Sequence, residues 1–307
     1  MRLVTRADFD GLACGSILME LDIVDSWKFV HPKDLQDGKI EITENDVLAN
    51  VPYAPGCGLW FDHHSSEFER VSPDVDVPGT RAIAPSCARI VYEHYGGINR
   101  LPHMDEMIQA VDRVDSANLN LSDVTDPKGW VLLGFLMDPR TGMGRFKQFS
   151  MGNWELMEEL MQCCRDYDID ELLMMPFVAE RVEYYFQQND NFRNMIMKHS
   201  RVDGDVIITD LRGINPIYTG NRFILYSLFP EQNISIWTID GLGGVNCVIA
   251  VGHSIFNKTS TVDVGKAMAK HGGGGHQVVG TCQVPHEDAD AVIEELIANF
   301  NSHERKV

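Results

Sequence analysis

The stretch Gly58-Leu59-Trp60-Phe61-Asp62-His63-His64 decides how the chain is organised. Its apolar half predicts a short buried strand, and its polar half begins where that strand ends. The carboxyl ends of strands are where α/β folds place their chemistry. One aspartate and two histidines in a row offer three ligands to a divalent metal ion. Short motifs also match by chance, and Asp62 would fit an ordinary turn cap, so the interpretation depends on the neighbouring segments.

Composition limits the class of protein. The chain has 307 residues, 44% of them hydrophobic and 23% charged, which is typical of a globular protein with a sizeable core and two domains. No apolar run reaches the ~20 residues of a membrane-spanning helix, and the N-terminus has no signal-peptide pattern. Seven scattered cysteines without a Cys-x-x-Cys pair indicate reduced thiols. We therefore expect a cytoplasmic protein without a membrane partner.

The formal net charge of −19 restricts the partners further. Such a chain repels polyanions, which disfavours extended, nonspecific binding of nucleic acids. A short phosphorylated substrate remains compatible, because a metal ion bound among carboxylates makes the local field positive.

A second polar stretch follows the first predicted strand, residues 3–5, and contains Asp8 and Asp10. In extended backbone these carboxylates point the same way, roughly 6.5–7 Å apart along the chain, and they repel each other unless a cation lies between them. Gly11 permits a sharp turn into a helix predicted over residues 12–21, whose N-terminus favours anions. An N-cap role explains one aspartate more easily than both.

Strand-like and helical segments alternate through the first half of the chain. Further strands are predicted at residues 27–32 and 46–51, and the strand that ends in Asp62 is the fourth. This alternation predicts an α/β fold with a doubly wound, largely parallel sheet. Ligands collect at the carboxyl ends of such strands, where Asn50 and the aspartates fall.

Two predicted helices follow the Asp-His-His motif. The first covers residues 86–95, and the second carries Asp112 and Asp115 near its end. An acidic pair at a helix end is usually exposed to water, so this pair alone does not indicate a site.

The second half of the chain has a different pattern. Residues 153–200 carry apolar stripes at helical spacing, which predict a helical connector after an N-terminal domain of residues 1–152. A smaller, mixed α/β domain is predicted over residues 201–307. Its strand-like segments are residues 206–208, 223–225, 234–237 and 247–251.

The C-terminal domain contains His271-Gly272-Gly273-Gly274-Gly275-His276. Four consecutive glycines cost backbone entropy, but they let main-chain N–H groups converge on an anion. The two histidines, with Lys266 and Lys270 upstream, add positive character. A flexible hinge, or a chain crossing too close for any Cβ atom, explains the glycines equally well.

Together these segments resemble the DHH phosphoesterase superfamily with its C-terminal DHH-associated domain, over nearly the whole chain. Asp8-Phe9-Asp10-Gly11 looks like the first motif, Asp62-His63-His64 is the name-giving motif, and Gly273-Gly274-Gly275-His276 looks like the glycine-rich motif of the associated domain. Members include exopolyphosphatases, manganese-type pyrophosphatases, RecJ-type exonucleases, nanoRNases and cyclic-dinucleotide phosphodiesterases. The resemblance implies two divalent metal ions, usually Mn²⁺ with Mg²⁺ as the alternative, facing a phosphate-binding domain across a cleft.

The resemblance also implies roles for single residues. The implied metal ligands are Asp8, Asp10, Asp62, His63 and either Asp112 or Asp115. His64 is implied to lie behind the ligands or to touch the substrate phosphate. The implied substrate contacts are Gly273, Gly274, Gly275 and His276, with Arg212 or Arg222 added on their charge alone.

Two positions depart from the family pattern. Arg6 stands where the family usually has a histidine ligand, and Asn50 where it usually has an aspartate that bridges the metals. A guanidinium offers only donors, and a neutral amide oxygen is a weaker ligand than a carboxylate. We therefore expect one strong metal site and one weakened or absent site, where Arg6 replaces a cation beside Asp8 and stabilises charge on the phosphoryl group.

The sequence thus favours a hydrolase of phosphoric esters or phosphoanhydrides that acts on a short polyphosphate or a short nucleotide between two domains. The density of carboxylates and histidines favours an enzyme. Arg6 and Asn50 favour the alternative, a catalytically impaired homologue that binds a phosphorylated ligand without turnover. The sequence leaves the oligomeric state open, a homodimer included.

Overall fold

The computed structural model describes residues 1–72 and 74–306, so Val307, the last residue of the predicted C-terminal domain, lies outside the described residues. Contacts divide the chain into two units. Unit 1 comprises Met1–Leu119 and Asp126–Tyr185, and unit 2 comprises Asn120–Thr125 and Phe186–Val307. No helix among the described residues is both long and apolar enough to cross a bilayer.

Unit 1 is built on a five-stranded sheet whose neighbouring strands are all parallel. The strands are β1 (Arg2–Thr5), β2 (Ser26–Phe29), β3 (Asp46–Ala49), β4 (Leu59–Asp62) and β5 (Gly79–Arg81). Their order, β2-β1-β3-β4-β5, changes direction between β1 and β3. In open α/β sheets this is the point at which ligands bind, at the carboxyl ends of the strands. The prediction of a doubly wound α/β sheet is confirmed.

Helices of unit 1 cover this sheet. They are α1 (Phe9–Glu20), α2 (Pro32–Gln36), α3 (Ser65–Arg70), α4 (Cys87–His94), α5 (Asp105–Asp115), α7 (Gly129–Met137), α8 (Asn153–Asp166) and α9 (Ile169–Met174). The long helix α10 (Pro176–His199) begins in unit 1 and ends in unit 2, and the short helix α6 (Leu121–Thr125) counts with unit 2. Helix α1 is buried almost all round and packs against α4, α5 and α8, which explains its small residues.

Two strands of unit 1 are shorter than predicted. β2 ends at Phe29 because His31 turns the chain into α2, its Nδ1 accepting a hydrogen bond from the Lys33 amide at 3.2 Å. β3 ends at Ala49 because Asn50 has a left-handed backbone with φ 58°. Side-chain capping and a single unusual φ angle therefore set these boundaries.

Unit 2 contains a six-stranded mixed sheet in the order β10-β11-β9-β8-β7-β6. Its strands are β6 (Ser200–Asp203), β7 (Val206–Asp210), β8 (Ile234–Asp240), β9 (Cys247–His253), β10 (Gly274–His276) and β11 (Val279–Val284). β7 and β8 are parallel, and the other neighbours are antiparallel. The helices are α11 (Ile224–Leu228), α12 (Val264–Ala269) and α13 (His286–Asn301).

The prediction of a strand at residues 223–225 is wrong, because this segment starts helix α11. The Asn221 side chain accepts a hydrogen bond from the Phe223 amide at 2.9 Å and turns the chain into the helix. A short apolar run fits a buried strand and a buried helix equally well. The seven cysteines are all buried and free, as expected of reduced thiols.

The glycine-rich segment forms an edge hairpin, in which β10 pairs with β11. A Cβ atom on Gly273 would lie 2.2 Å from the carbonyl oxygen of Thr281, and one on Gly275 would lie 2.2 Å from that of Val279. A Cβ atom on Gly274 would meet nothing within 4 Å. The close approach of β10 and its preceding residue to β11 therefore requires Gly273 and Gly275. A side chain at Gly274 would point into open space.

Replacing Gly275 with alanine is therefore expected to destabilise unit 2 by about 1–3 kcal/mol, because the new methyl group would force β10 away from β11. Gly274→Ala, one residue away, should leave the unfolding midpoint nearly unchanged. Denaturant unfolding of both variants checks this pair. Equal stability of the two variants would contradict the assigned packing.

Candidate metal centre

The residues that follow β1 and β3 meet at Asp8, the N-cap of α1. One carboxylate oxygen, Oδ1, accepts hydrogen bonds from the Gly11 amide at 3.0 Å and from Asn50 Nδ2 at 3.1 Å. The other, Oδ2, lies 3.1 Å from Arg6 Nε. Both residues that depart from the family pattern thus contact Asp8, and one of them brings a permanent positive charge.

Asn50 is held rigidly in this arrangement. It is buried, and its positive φ is a conformation that asparagine adopts more readily than most residues. Its amide nitrogen faces Asp8, whereas the reverse orientation would set two oxygens against each other. Its Oδ1 atom is buried without a hydrogen-bond partner among the residues that the structure describes. An unpaired buried oxygen of this kind is costly unless a cation or water meets it.

Asp10 is fixed by the first residues of α4. Its side chain is 1% exposed, and its two oxygens accept hydrogen bonds from the amides of Ala88 at 2.7 Å and Cys87 at 3.0 Å. A helix N-terminus favours negative charge, so α4 positions this carboxylate.

His63 faces two carboxylates with one ring nitrogen. Its Nε2 atom lies 3.7 Å from Asp10 Oδ2 and 3.5 Å from Asp115 Oδ2. Its Nδ1 atom lies 3.2 Å from the carbonyl oxygen of Ala84, which can only accept, so Nδ1 carries the proton in the neutral ring. The lone pair of Nε2 is thereby directed at the carboxylates, which is the tautomer that a metal ligand needs.

A divalent cation fits these residues. One ligand atom each from Asp10, His63 and Asp115 lie within 4.8 Å of one another. Two carboxylates and one imidazole are a donor set for Mn²⁺ or Mg²⁺. We call these three residues the metal cluster.

The pKa shifts of the metal cluster have a common cause. Burial raises the pKa of Asp10 well above its usual range, and the charges of Asp115 and Asp8 raise it further. Burial also raises the pKa of Asp115. Burial lowers the pKa of His63, and neighbouring His64 adds to this effect. Mutually repelling, desolvated groups of this kind mark functional sites, because a cation between them relieves the repulsion.

Asp62 and His64 form a pair beside the cluster. Asp62 is buried, and its Oδ1 lies 2.8 Å from His64 Nδ1. Burial lowers the pKa of His64, but the hydrogen bond and charge of Asp62 raise it overall. Asp62 Oδ2 is buried without a hydrogen-bond partner among the described residues, so one carboxylate oxygen remains available to a ligand.

The structure places Asp112 and Asp115 in different surroundings. Asp112 accepts hydrogen bonds from Ser86 Oγ at 2.7 Å and from Arg89 Nε at 2.9 Å. Asp115, one turn later on α5, reaches His63. The ion pair with Arg89 therefore occupies Asp112, while Asp115 joins the metal cluster.

Comparison with solved structures finds a relative over almost the entire chain. A pGpG-specific phosphodiesterase from Vibrio cholerae is 44% identical, with a TM-score of 0.84 over 98% of this chain and 99% of that chain. The DHH domain of a member of a family of ribosomal proteins has the same fold at 14% identity, with a TM-score of 0.59 over 99% of this chain and 87% of that chain. The chain belongs to the DHH phosphoesterase superfamily. Protein-family models and curated proteins yield no match.

In this DHH protein, Asp115→Asn is expected to weaken Mn²⁺ binding at least ~100-fold, since Asp115 would be a direct ligand and such a ligand contributes more than the groups that orient ligands. Asp112→Asn should leave Mn²⁺ affinity nearly unchanged and cost about 1–2 kcal/mol of stability through the weakened Arg89 pair. Calorimetric titration with Mn²⁺ and thermal unfolding check both variants. A larger loss of affinity in the Asp112 variant would reverse the assignment.

The two arginines suggested as substrate contacts have partners within unit 2 of the DHH protein. Arg212 Nη2 lies 2.6 Å from Asp210 and 2.7 Å from Asp290. The guanidinium of Arg222 stacks 4.2 Å from the ring centroid of Phe223. His276 lies exposed on the edge strand β10. Arg212, Arg222 and His276 thus have different surroundings. The charge of Arg212 is already balanced by the carboxylates of Asp210 and Asp290.

Sequence reasoning missed Arg140, which follows helix α7. Its amide nitrogen and Nε both lie 2.8 Å from Asp138 Oδ1, so Asp138 fixes the turn and the side chain together. In the sequence, Arg140 appears only as part of Asp138-Pro139-Arg140 after an apolar helix. This tripeptide is typical of many surface turns and does not by itself indicate a site. Only the fold of this DHH unit brings that turn beside residue 7, as the shared cavity lining shows.

Proposed function

We propose that this DHH protein is a metal-dependent phosphodiesterase that hydrolyses a short linear dinucleotide such as pGpG to two mononucleotides. The metal cluster of Asp10, His63 and Asp115 is the observation that carries the proposal. The 44% identity to a pGpG-specific phosphodiesterase, over both full chains, supports a dinucleotide over a polyphosphate.

Asp10, His63 and Asp115 would hold one divalent ion. Asp62, which precedes His63, has one buried oxygen, Oδ2, without a hydrogen-bond partner among the described residues. Such an ion, when bound, supplies Lewis acidity and lowers the pKa of a coordinated water. Arg6 and Asn50 already engage Asp8, and a guanidinium cannot ligate a metal. We therefore propose a single resident ion, with the Arg6 guanidinium in the place of the second.

The reaction adds water across the internal phosphodiester. The water oxygen bonds to phosphorus, the bond from phosphorus to O3′ breaks, and O3′ takes up a proton. The Nδ1–H group of His64 donates a hydrogen bond to Asp62 Oδ1, and Nε2 remains available to hold or deliver a proton. Arg6 stabilises negative charge on the transferring phosphoryl group. His63 keeps its tautomer through the carbonyl of Ala84.

The glycine-rich hairpin remains the proposed phosphate-binding element of unit 2. Gly274 borders open space, and His276 is exposed on the same edge strand. Arg212 is held by two carboxylates, so the proposal does not depend on it.

The second candidate is a homologue that binds the same dinucleotide without turnover, which the Arg6–Asp8 pair favours because a second ion has no free carboxylate there. Incubating the protein with Mn²⁺ and pGpG, and measuring the mononucleotide released, separates the two. We expect two mononucleotides to be released per pGpG, and EDTA to abolish this release. Phosphate should be released from short polyphosphate more slowly than mononucleotide is released from pGpG. Tight binding of pGpG without hydrolysis would establish the second candidate, and neither binding nor hydrolysis would contradict both.

A further inference from the structure

Arg140 has one anchored side and one open side. Its Nε donates to Asp138 Oδ1 at 2.8 Å, and Asp138 is itself only 8% exposed. The Arg140 side chain is 64% exposed, and its two terminal nitrogens make no hydrogen bond to any residue that the structure describes. The guanidinium is therefore held in place while its outer edge remains available to a ligand.

The turn that carries Arg140 lies beside the loop of residues 6–8, which contains Arg6 and Asp8. A cavity of about 140 Å³ is lined by Ala7 together with Asp138 and Pro139. Ala7 lies between Arg6 and Asp8, so the turn of residues 138–140 and the loop of residues 6–8 border the same cavity.

Electrostatics agree with this placement. The surrounding protein restricts solvation of the Arg140 guanidinium and lowers its pKa, although the side chain is 64% exposed, and the charge and hydrogen bond of Asp138 more than offset this. The charges of Asp8 and Asp115 raise the pKa further, which puts the guanidinium within their electrostatic reach. Together with the cavity that Ala7 and Asp138 both line, these charges place Arg140 at the rim of the acidic site, outside the metal cluster.

The substrate class needs a second cation at this rim. A linear dinucleotide such as pGpG carries an internal phosphodiester and a terminal 5′-phosphate with nearly two negative charges. Arg6, which contacts Asp8, is assigned in the proposed function to the internal phosphoryl group, so the terminal phosphate needs a different cation. The open edge of a guanidinium presents parallel N–H groups that match two phosphate oxygens. A chain of net charge −19 repels phosphates overall, so a phosphate needs a local cation to bind.

We infer that Arg140 binds the terminal 5′-phosphate of the dinucleotide and selects phosphorylated over unphosphorylated dinucleotides. This assignment rests on the proposed function and adds a specificity residue to it. Removing a charge-assisted pair of this kind weakens binding about 10- to 100-fold. Arg140→Ala should therefore raise KM for pGpG by that factor and leave its kcat nearly unchanged.

The test compares pGpG with GpG, which lacks the 5′-phosphate, in wild type, Arg140→Ala and Arg140→Lys. Lys147→Ala, which removes an exposed charge from the following loop, is the matched control. We expect wild type and the Lys147 variant to prefer pGpG, Arg140→Ala to lose that preference without changing GpG, and Arg140→Lys to lie between. Equal effects on both dinucleotides, no effect on either, or a wild type without preference would overturn the assignment.

Binding measured without divalent ions keeps this inference separate from the proposed function. Calorimetric titration of each variant with pGpG and GpG in EDTA reports the preference directly. If wild type binds with the preference but releases no mononucleotide when Mn²⁺ is present, the proposed function fails and the role of Arg140 stands. If hydrolysis proceeds but Arg140→Ala keeps the preference, the role of Arg140 fails alone.

Discussion

Replacing His63 with alanine is expected to lower kcat/KM for pGpG at least ~10³-fold, because the metal cluster loses its one neutral ligand and its fixed lone pair. His63 Nε2 lies within 4 Å of both Asp10 and Asp115, so its loss leaves two repelling carboxylates without the donor between them. Product release measured by chromatography gives the rate, and Mn²⁺ bound per chain gives the cause.

His103→Ala is the control for this variant, because His103 is an exposed histidine whose carboxylate neighbour is Glu20 at 3.8 Å. It should retain wild-type activity and Mn²⁺ content. Circular dichroism of the His63 variant establishes that the fold is intact. A folded His63→Ala protein that keeps more than a tenth of the activity would show that the metal cluster is not where hydrolysis occurs.

Changing Arg6 to histidine together with Asn50 to aspartate should raise the Mn²⁺ content from one ion per chain to two. The double change removes the guanidinium from Asp8 Oδ2 and replaces the neutral amide on Asp8 Oδ1 with a carboxylate. Three ligands for a second ion would then adjoin the first. We also expect turnover of pGpG to increase, since two ions can stabilise both the attacking and the leaving oxygen.

Elemental analysis of protein dialysed against Mn²⁺ measures this ratio independently of activity. Arg6→Lys, which keeps the charge beside Asp8, is the matched control and should still bind one ion. A double variant that still binds a single ion, with its fold intact, would mean that Arg6 and Asn50 do not exclude the second.

Local patterns predicted much of the fold. The order of strands and helices in unit 1 and the position of Asp62 at a strand end follow from hydrophobic periodicity, which is a local property. The prediction of a strand at residues 223–225 is wrong because Asn221 turns the chain into a helix there, and a short apolar run fits either element.

The candidate site was less predictable, because its details depend on long-range contacts. The sequence does not distinguish Asp112 from Asp115. Their long-range contacts do, because Arg89 pairs with Asp112 whereas His63 contacts Asp115. Arg140 became recognisable only when the fold brought its turn beside residue 7. The glycines behave similarly, since the closeness of β11 distinguishes Gly275 from Gly274.

Crystals of the wild-type protein grown with Mn²⁺ and measured at the manganese absorption edge provide the most direct test of a single-ion phosphodiesterase site. We predict one anomalous peak per chain, bounded by Asp10, His63 and Asp115, with Arg6 still on Asp8. Two peaks, the second against Asp8 and Asn50, would contradict the proposed substitution of a guanidinium for a metal ion. A peak away from all three ligands would contradict the site itself.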